Sequence, residues 1–212
     1  MNSTFVGREK EIREFEKKLK SFLYRSSNIT NHSIMLINGF GGIGKTTLLK
    51  KLKDIVENSQ ERGFKDYFDI LELDWDKQLK HNLIKPDMVL TIIYEALTKS
   101  EERKDYFNEF TKVLEILKSI KEKYAEAEEK QEKIGKFVEA ELTNYEQENY
   151  PELESVLVKH LAEGIKNLSQ KKPLLIFFDT QEVLNDIDVN KAIREVIKKS
   201  GNKVIWIIAG RN

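Results

Sequence analysis

Eight consecutive residues, Gly39-Phe40-Gly41-Gly42-Ile43-Gly44-Lys45-Thr46, match the spacing G-x-x-x-x-G-K-[ST] in full. Four of the chain's ten glycines lie in this stretch. Glycine lets a backbone curl until successive N–H groups point inward, which is the geometry that cradles phosphate oxygens. A helix opening at Lys45 would add the positive end of its dipole. Lys45 would then reach β and γ phosphates, and the Thr46 hydroxyl would ligate magnesium. The candidate nucleotide contacts are Gly39, Gly41, Gly42, Ile43, Gly44, Lys45 and Thr46. An accidental glycine turn is the alternative, and the apolar run before it and helical pattern after it count against that.

A second group of residues could complete the chemistry. Leu174-Leu175-Ile176-Phe177-Phe178-Asp179 reads as an apolar strand ending in a carboxylate. In phosphate-loop enzymes a carboxylate so placed holds magnesium, usually through water, so Thr46 and Asp179 are the candidate metal ligands. Glu182 follows three residues later and could orient or deprotonate an attacking water; a solvated loop glutamate would look the same. Asp74 and Asp76, past the second apolar strand, are weaker base candidates. Guanine selection would call for Asn-Lys-x-Asp after a strand. The nearest approaches, Asn190-Lys191-Ala192-Ile193 and Asn202-Lys203-Val204-Ile205, lack the aspartate. Adenine is favoured.

These residues need a scaffold, and the hydropathy pattern supplies one. Ser33–Asn38, Tyr67–Leu73, Leu174–Phe178 and Val204–Ala209 read as strands, three of them almost wholly apolar, as strands buried on both faces are. Ile12, Phe15, Leu19, Phe22 and Leu23 share one helical face, as do Leu48, Leu49, Leu52, Ile55 and Val56. Further helical patterns lie around Asp87–Thr98, Glu152–Leu168 and Val189–Lys199. Alternating strands and helices predict an α/β fold on a mainly parallel sheet.

Composition narrows the function classes. The 36 Lys and Arg balance 36 Asp and Glu, which argues against a dedicated nucleic-acid clamp. The absence of Cys excludes disulfides, thiolate catalysis and Cys-ligated metal sites. The three His, at 32, 81 and 160, are too scattered for a metal site. With no signal pattern and no apolar run near 18 residues, a soluble, cytoplasmic protein without membrane partners is expected. Charged residues make up 34% of the chain, against about 25% ordinarily. Residues 101–135 hold ten acids and eight bases around an apolar stripe at 106, 110, 113, 117 and 120, continuing less regularly to 134. That segment predicts either a surface helix packed on its own domain or a hairpin, turning near Gly135, that docks a protein partner.

Three pieces taken together resemble a known family. Phe5-Val6-Gly7-Arg8-Glu9, the loop extended through Thr47-Leu48, and Ile207-Ile208-Ala209-Gly210-Arg211 are similar to the nucleotide-binding domain of STAND ATPases. These are signalling relatives of AAA+ proteins and include NACHT and NB-ARC domains. The resemblance spans nearly the whole chain. It implies a three-layer P-loop NTPase of the ASCE/AAA+ type, with strand order 2-3-4-1 and a helical insertion. It assigns Val6, Gly7 and Arg8 to the adenine side, adds Thr47 to the phosphate contacts, and makes Arg211 a sensor of the γ-phosphate. ATP or ADP with Mg²⁺ would be the cofactor.

Thr180 departs from the pattern, because many AAA+ ATPases carry Glu directly after the magnesium aspartate. A slow ATPase working as a signal-transduction switch follows from that, within a larger regulatory or defence protein that assembles as a homo-oligomer. The resemblance also implies that residues 1–212 are the N-terminal part of the ATPase domain: an adenine-side segment 1–25, a core of 32–100 and 152–212, and the insertion 101–150. A fifth strand, a helical lid and its sensor would lie elsewhere. Two other classes compete. A small-molecule kinase would want a substrate lid and acceptor-site residues, which are not found. An origin-binding, DNA-associated ATPase shares the Gly-Arg-Glu opening, but the neutral charge and lack of a recognisable DNA-binding helix pair disfavour it.

Overall fold

The computed structural model describes residues 7–24, 33–58, 64–79, 84–129 and 152–211. Val6, Gly135 and the insertion beyond residue 129 lie outside the described residues. Four strands, β1 (Ser33–Asn38), β2 (Asp69–Asp74), β3 (Leu174–Asp179) and β4 (Val204–Gly210), form one sheet. Its order is β1-β4-β3-β2 and every pairing is parallel. This is the order expected from the sequence, read from the other edge. The main helices are α1 (Glu9–Leu23), α2 (Lys45–Asn58), α3 (Pro86–Leu97), α4 (Asn108–Glu129), α5 (Leu153–Lys171) and α6 (Ile187–Lys199), with single turns between some of them.

Side chains alternate across a strand, so each strand feeds two cores. On one face Met35, Ile37, Leu175, Phe177, Ile205, Ile207 and Ala209 meet Phe15 and Leu19 of α1 and Leu48, Leu49, Leu52 and Val56 of α2. On the other, Leu71, Leu73, Ile176, Phe178 and Trp206 meet helices α3 to α6. The result is a three-layer α/β/α sandwich. Strand β1 breaks the rule of two covered faces. Its burial alternates, leaving Ile34 and Leu36 exposed beside a groove of about 700 Å³ also lined by Ile193 and Ile197 of α6.

Helix boundaries follow local chemistry. Pro86 opens α3 from an extended Lys85, where its missing N–H costs nothing. Asp186 caps α6, its carboxylate accepting from the N–H groups of Asp188 and Val189, both at 2.9 Å. The sheet's second strand begins at Asp69 and not Tyr67, because Phe64–Tyr67 closes a helical turn first.

The charged segment packs through its stripe. Phe107, Phe110, Val113, Leu114 and Ile120 are buried in the larger core, against α5 and α3. A Cβ placed on Gly164 of α5 would come within 2.3 Å of the Phe107 ring and 2.9 Å of the Tyr106 carbonyl oxygen. Alanine favours helices over glycine by about 1 kcal/mol, but overpacking of this kind costs about 1–3 kcal/mol or more. Backbone on one side leaves the ring little room to retreat. Gly164→Ala is therefore expected to lower stability by about 1–2 kcal/mol in urea unfolding; a stabilised variant would contradict the contact. Among the described residues no helix is long and apolar enough to cross a membrane.

Candidate functional site

Strands β1, β3 and β4 end at one rim of the sheet, and the candidate residues gather there. In doubly wound folds ligands bind at this carboxyl end of the strands. Asn38 closes β1 and pairs with Gly210, while Asp74 of β2 pairs with Asp179 of β3. The glycine-rich loop leaves β1 at this rim and turns into α2. Gly42 and Gly44 have φ of 78° and 86°, and a Cβ on either would meet nothing within 4 Å. The loop is therefore shaped by glycine and open on the side where a ligand would lie. The first helical bond runs from Leu48 N–H to Gly44 O at 2.9 Å, so the preceding N–H groups at the head of α2 have no acceptor within the helix.

Lys45 is the inward residue of this turn, only 8% exposed. Its ammonium donates to the carbonyls of Gly39 at 2.9 Å and Phe40 at 3.2 Å. Among the described residues no carboxylate pairs with it. A shielded cation held by two carbonyls, next to open, positively curled backbone, fits a polyanionic phosphate chain as its counter-charge. Thr46 and Thr47 are exposed on the first turn of α2.

Asp179 is 6% exposed at the end of β3, and its Oδ1 accepts the Thr180 N–H at 2.9 Å. Among the described residues no group of three or more His, Asp or Glu forms a ready cation cage. The Thr46 hydroxyl and the Asp179 carboxylate are oxygen donors of the kind magnesium takes, one or two from the protein with phosphate and water completing the set.

Thr180 takes a left-handed conformation, φ 58°, unusual for a β-branched residue and costing about 1–3 kcal/mol. Its hydroxyl donates to Asp74 Oδ1 at 3.2 Å. Asp74 also pairs with Lys77 at 2.6 Å. Burial works against ionisation of Asp74, but the Lys77 and Thr180 bonds outweigh it and hold the carboxyl below its ordinary range. Asp76 remains exposed. Next in the chain, Gln181 accepts from the Trp75 indole N–H at 3.2 Å, tying the short turn Gln181–Val183 to the core.

Arg211 follows β4 directly. Its guanidinium lies over the loop, with Nη2 at 3.1 Å from where a Cβ on Gly41 would stand. Glu182 meets it from the other side, Oε1 to Nε at 3.0 Å. Arg8 approaches from the N-terminal segment. It donates to the Ile43 carbonyl at 3.2 Å and pairs with Glu11 at 2.7 Å, which keeps the Glu11 carboxyl below its usual range. Gly7 and Arg8 both have positive φ, and Arg8 and Thr180 are the non-glycine residues with positive φ among those described. Both border the loop end of the sheet, where strain of this kind tends to collect. The contacts of Trp75, Gln181 and Ile43 carry no sequence signal, since they join positions distant along the chain.

No curated protein matches the sequence. A chain from the structure of Drosophila ORC bound to DNA superposes with a TM-score of 0.50 at 15% identity, covering 99% of this chain. This chain spans 40% of the length of that one, and the likeness shows the fold alone. The model of the NB-ARC domain matches residues 12–126, which include the whole glycine-rich loop and more than half of the sequence. The chain belongs to the NB-ARC domain family.

Proposed function

We propose that this domain is a slow, ATP-driven switch of the STAND class, binding adenine nucleotide with magnesium and signalling through the identity of the bound nucleotide. The observation that carries the reading is the meeting of Lys45 and Arg211 on one glycine-shaped loop, with Asp179 ending a strand at the same rim of the sheet. Gly39 to Gly44 and the head of α2 would donate backbone N–H groups to the phosphates, with Thr46 and Thr47 beside them. Lys45 would balance their charge, and Arg211 would meet the terminal one. Gly7 and Arg8, braced on the loop by the Ile43 carbonyl, suit the adenine side.

Thr46 and Asp179 would hold magnesium, which when bound neutralises phosphate charge. Thr180 supports slow turnover, because no carboxylate occupies its position and its own hydroxyl is engaged with Asp74. A terminal phosphate that lingers can bias one conformation for long periods, which suits a cytoplasmic signalling protein that assembles when loaded.

Equilibrium titration with ATP and ADP, with and without magnesium, together with single-turnover hydrolysis, tests this reading. Expected are micromolar or tighter binding, a magnesium dependence lost in Asp179→Ala, and turnover on the order of 10⁻³ s⁻¹. Failure to bind either nucleotide would sink the proposal. Turnover near 10 s⁻¹, the ordinary enzyme range, would replace the switch with a catalyst.

A further inference from the structure

Glu182 makes a contact that sequence reasoning did not anticipate. It sits in the turn Gln181–Val183 immediately after Asp179 and Thr180. Its two carboxylate oxygens are spent on one residue: Oε1 takes the Arg211 Nε at 3.0 Å, and Oε2 accepts the Arg211 backbone N–H at 3.1 Å. The grip is therefore on both the root and the neck of the arginine. The terminal nitrogens are left to face the loop, Nη2 nearest Gly41. Glu182 is shielded, its side chain 23% exposed, whereas Arg211 is 63% exposed.

Neighbouring residues are suited to this arrangement. A Cβ on Gly210 would stand 3.2 Å from Gln181 Cβ and 3.5 Å from Glu182 Oε2, so glycine lets the turn lie close against the strand end. Gln181 fixes the same turn to Trp75, which is fully buried beside Phe178.

We propose that Glu182 is a positioning residue, holding the Arg211 guanidinium in the orientation that recognises the terminal phosphate of ATP and so setting the preference for ATP over ADP. The inference rests on the nucleotide-switch reading above. An exposed arginine loses considerable rotamer freedom when it engages a ligand, and prior fixing of its side chain removes much of that cost. Charge-assisted bonds at Nε and N–H supply the fixing, while the terminal nitrogens stay available. A general base, by contrast, needs a carboxylate oxygen within reach of water. Here each oxygen already accepts one bond from Arg211, which turns the carboxylate toward the arginine.

The test compares affinities for ADP and for a non-hydrolysable ATP analogue in the full chain, so that turnover plays no part. In wild type the analogue should bind more tightly than ADP. Glu182→Ala is expected to weaken analogue binding about 5–20-fold and leave ADP within twofold, as prior ordering of one arginine would predict. Glu182→Gln keeps one acceptor oxygen and should fall between. In an Arg211→Ala background, Glu182→Ala should add nothing further.

Unchanged ADP binding also reports that the variants are folded. Analogue affinity that is unchanged in Glu182→Ala, or that falls in step with ADP affinity, overturns the positioning role while the nucleotide switch stands. A wild type that binds neither nucleotide removes both.

Discussion

Lys45→Ala is expected to weaken ATP and ADP binding by about thirtyfold or more while leaving the protein folded. Removing one member of a shielded, hydrogen-bonded charge pair costs about 2–5 kcal/mol of binding, and about 1.4 kcal/mol is tenfold. The stability side should be nearly silent. The Lys45 ammonium pairs with no carboxylate among the described residues, only with the carbonyls of Gly39 and Phe40. Those carbonyls lie in an open loop where water can replace the lost donor, and removal of a shielded cation relieves its desolvation. Isothermal titration measures the first effect and circular dichroism on heating the second. Undiminished affinity for both nucleotides would contradict the assignment of this loop.

The largest effect on stability is expected one residue before Asp179. Phe178 is fully buried between two indoles, its ring centroid 5.0 Å from that of Trp75 and 5.4 Å from that of Trp206. Both contacts are edge-on, at 70°, the arrangement favoured by aromatic quadrupoles. Phe178→Ala would remove the filling of this three-ring stack and leave two large, rigid neighbours unable to close the gap. Such truncations cost about 3–5 kcal/mol, a large share of the 5–15 kcal/mol that holds a domain together.

For a chain of this size that corresponds to a fall in Tm of about 10 °C. Phe178→Leu, which keeps most of the volume, should lose about 1.5 kcal/mol. The same stack supports Trp75, and through it Gln181, so Phe178→Ala should also loosen the turn that carries Glu182. A melting temperature within 2–3 °C of wild type, the shift about 1 kcal/mol produces, would mean the layer is not packed as described.

What the sequence revealed about this protein depended on how local each signal was. The glycine-rich loop, β1 and the first turn of α2 are contiguous, so one stretch of residues announces all three. Parallel strands buried on both faces read as apolar runs, which is why β3 and β4 stand out by eye. The strand order came from resemblance to a family and matches the observed pairings.

Other features depend on the sheet's register and are invisible along the chain. Glu182 and Arg211 lie on opposite sides of a helix and meet only because β3 and β4 end together. Arg8 finds the Ile43 carbonyl across a gap of 35 residues. The left-handed backbone at Thr180 is equally hidden, since a threonine gives no hint of positive φ. In the charged segment the apolar spacing already marked Phe110 and Val113, but Phe107 is identified as core only by its packing.

The order β1-β4-β3-β2 also has a consequence for how the molecule is made. Among the described strands, β1 pairs only with β4, Ser33 lying opposite Ile205. As a chain emerges from the ribosome from its N-terminus, the strand that carries the glycine-rich loop is synthesised first of the four. It must wait for the last of them before it has a neighbour. Contacts this distant in sequence form late, after the loop-closure entropy of the intervening chain has been overcome. Until then Met35 and Ile37 have no sheet to join, and the nascent strand is a natural client for chaperones that shield apolar segments. A correctly curled loop is therefore a mark that β4 has been made and has docked, and truncated chains lacking β4 would be born unable to hold it.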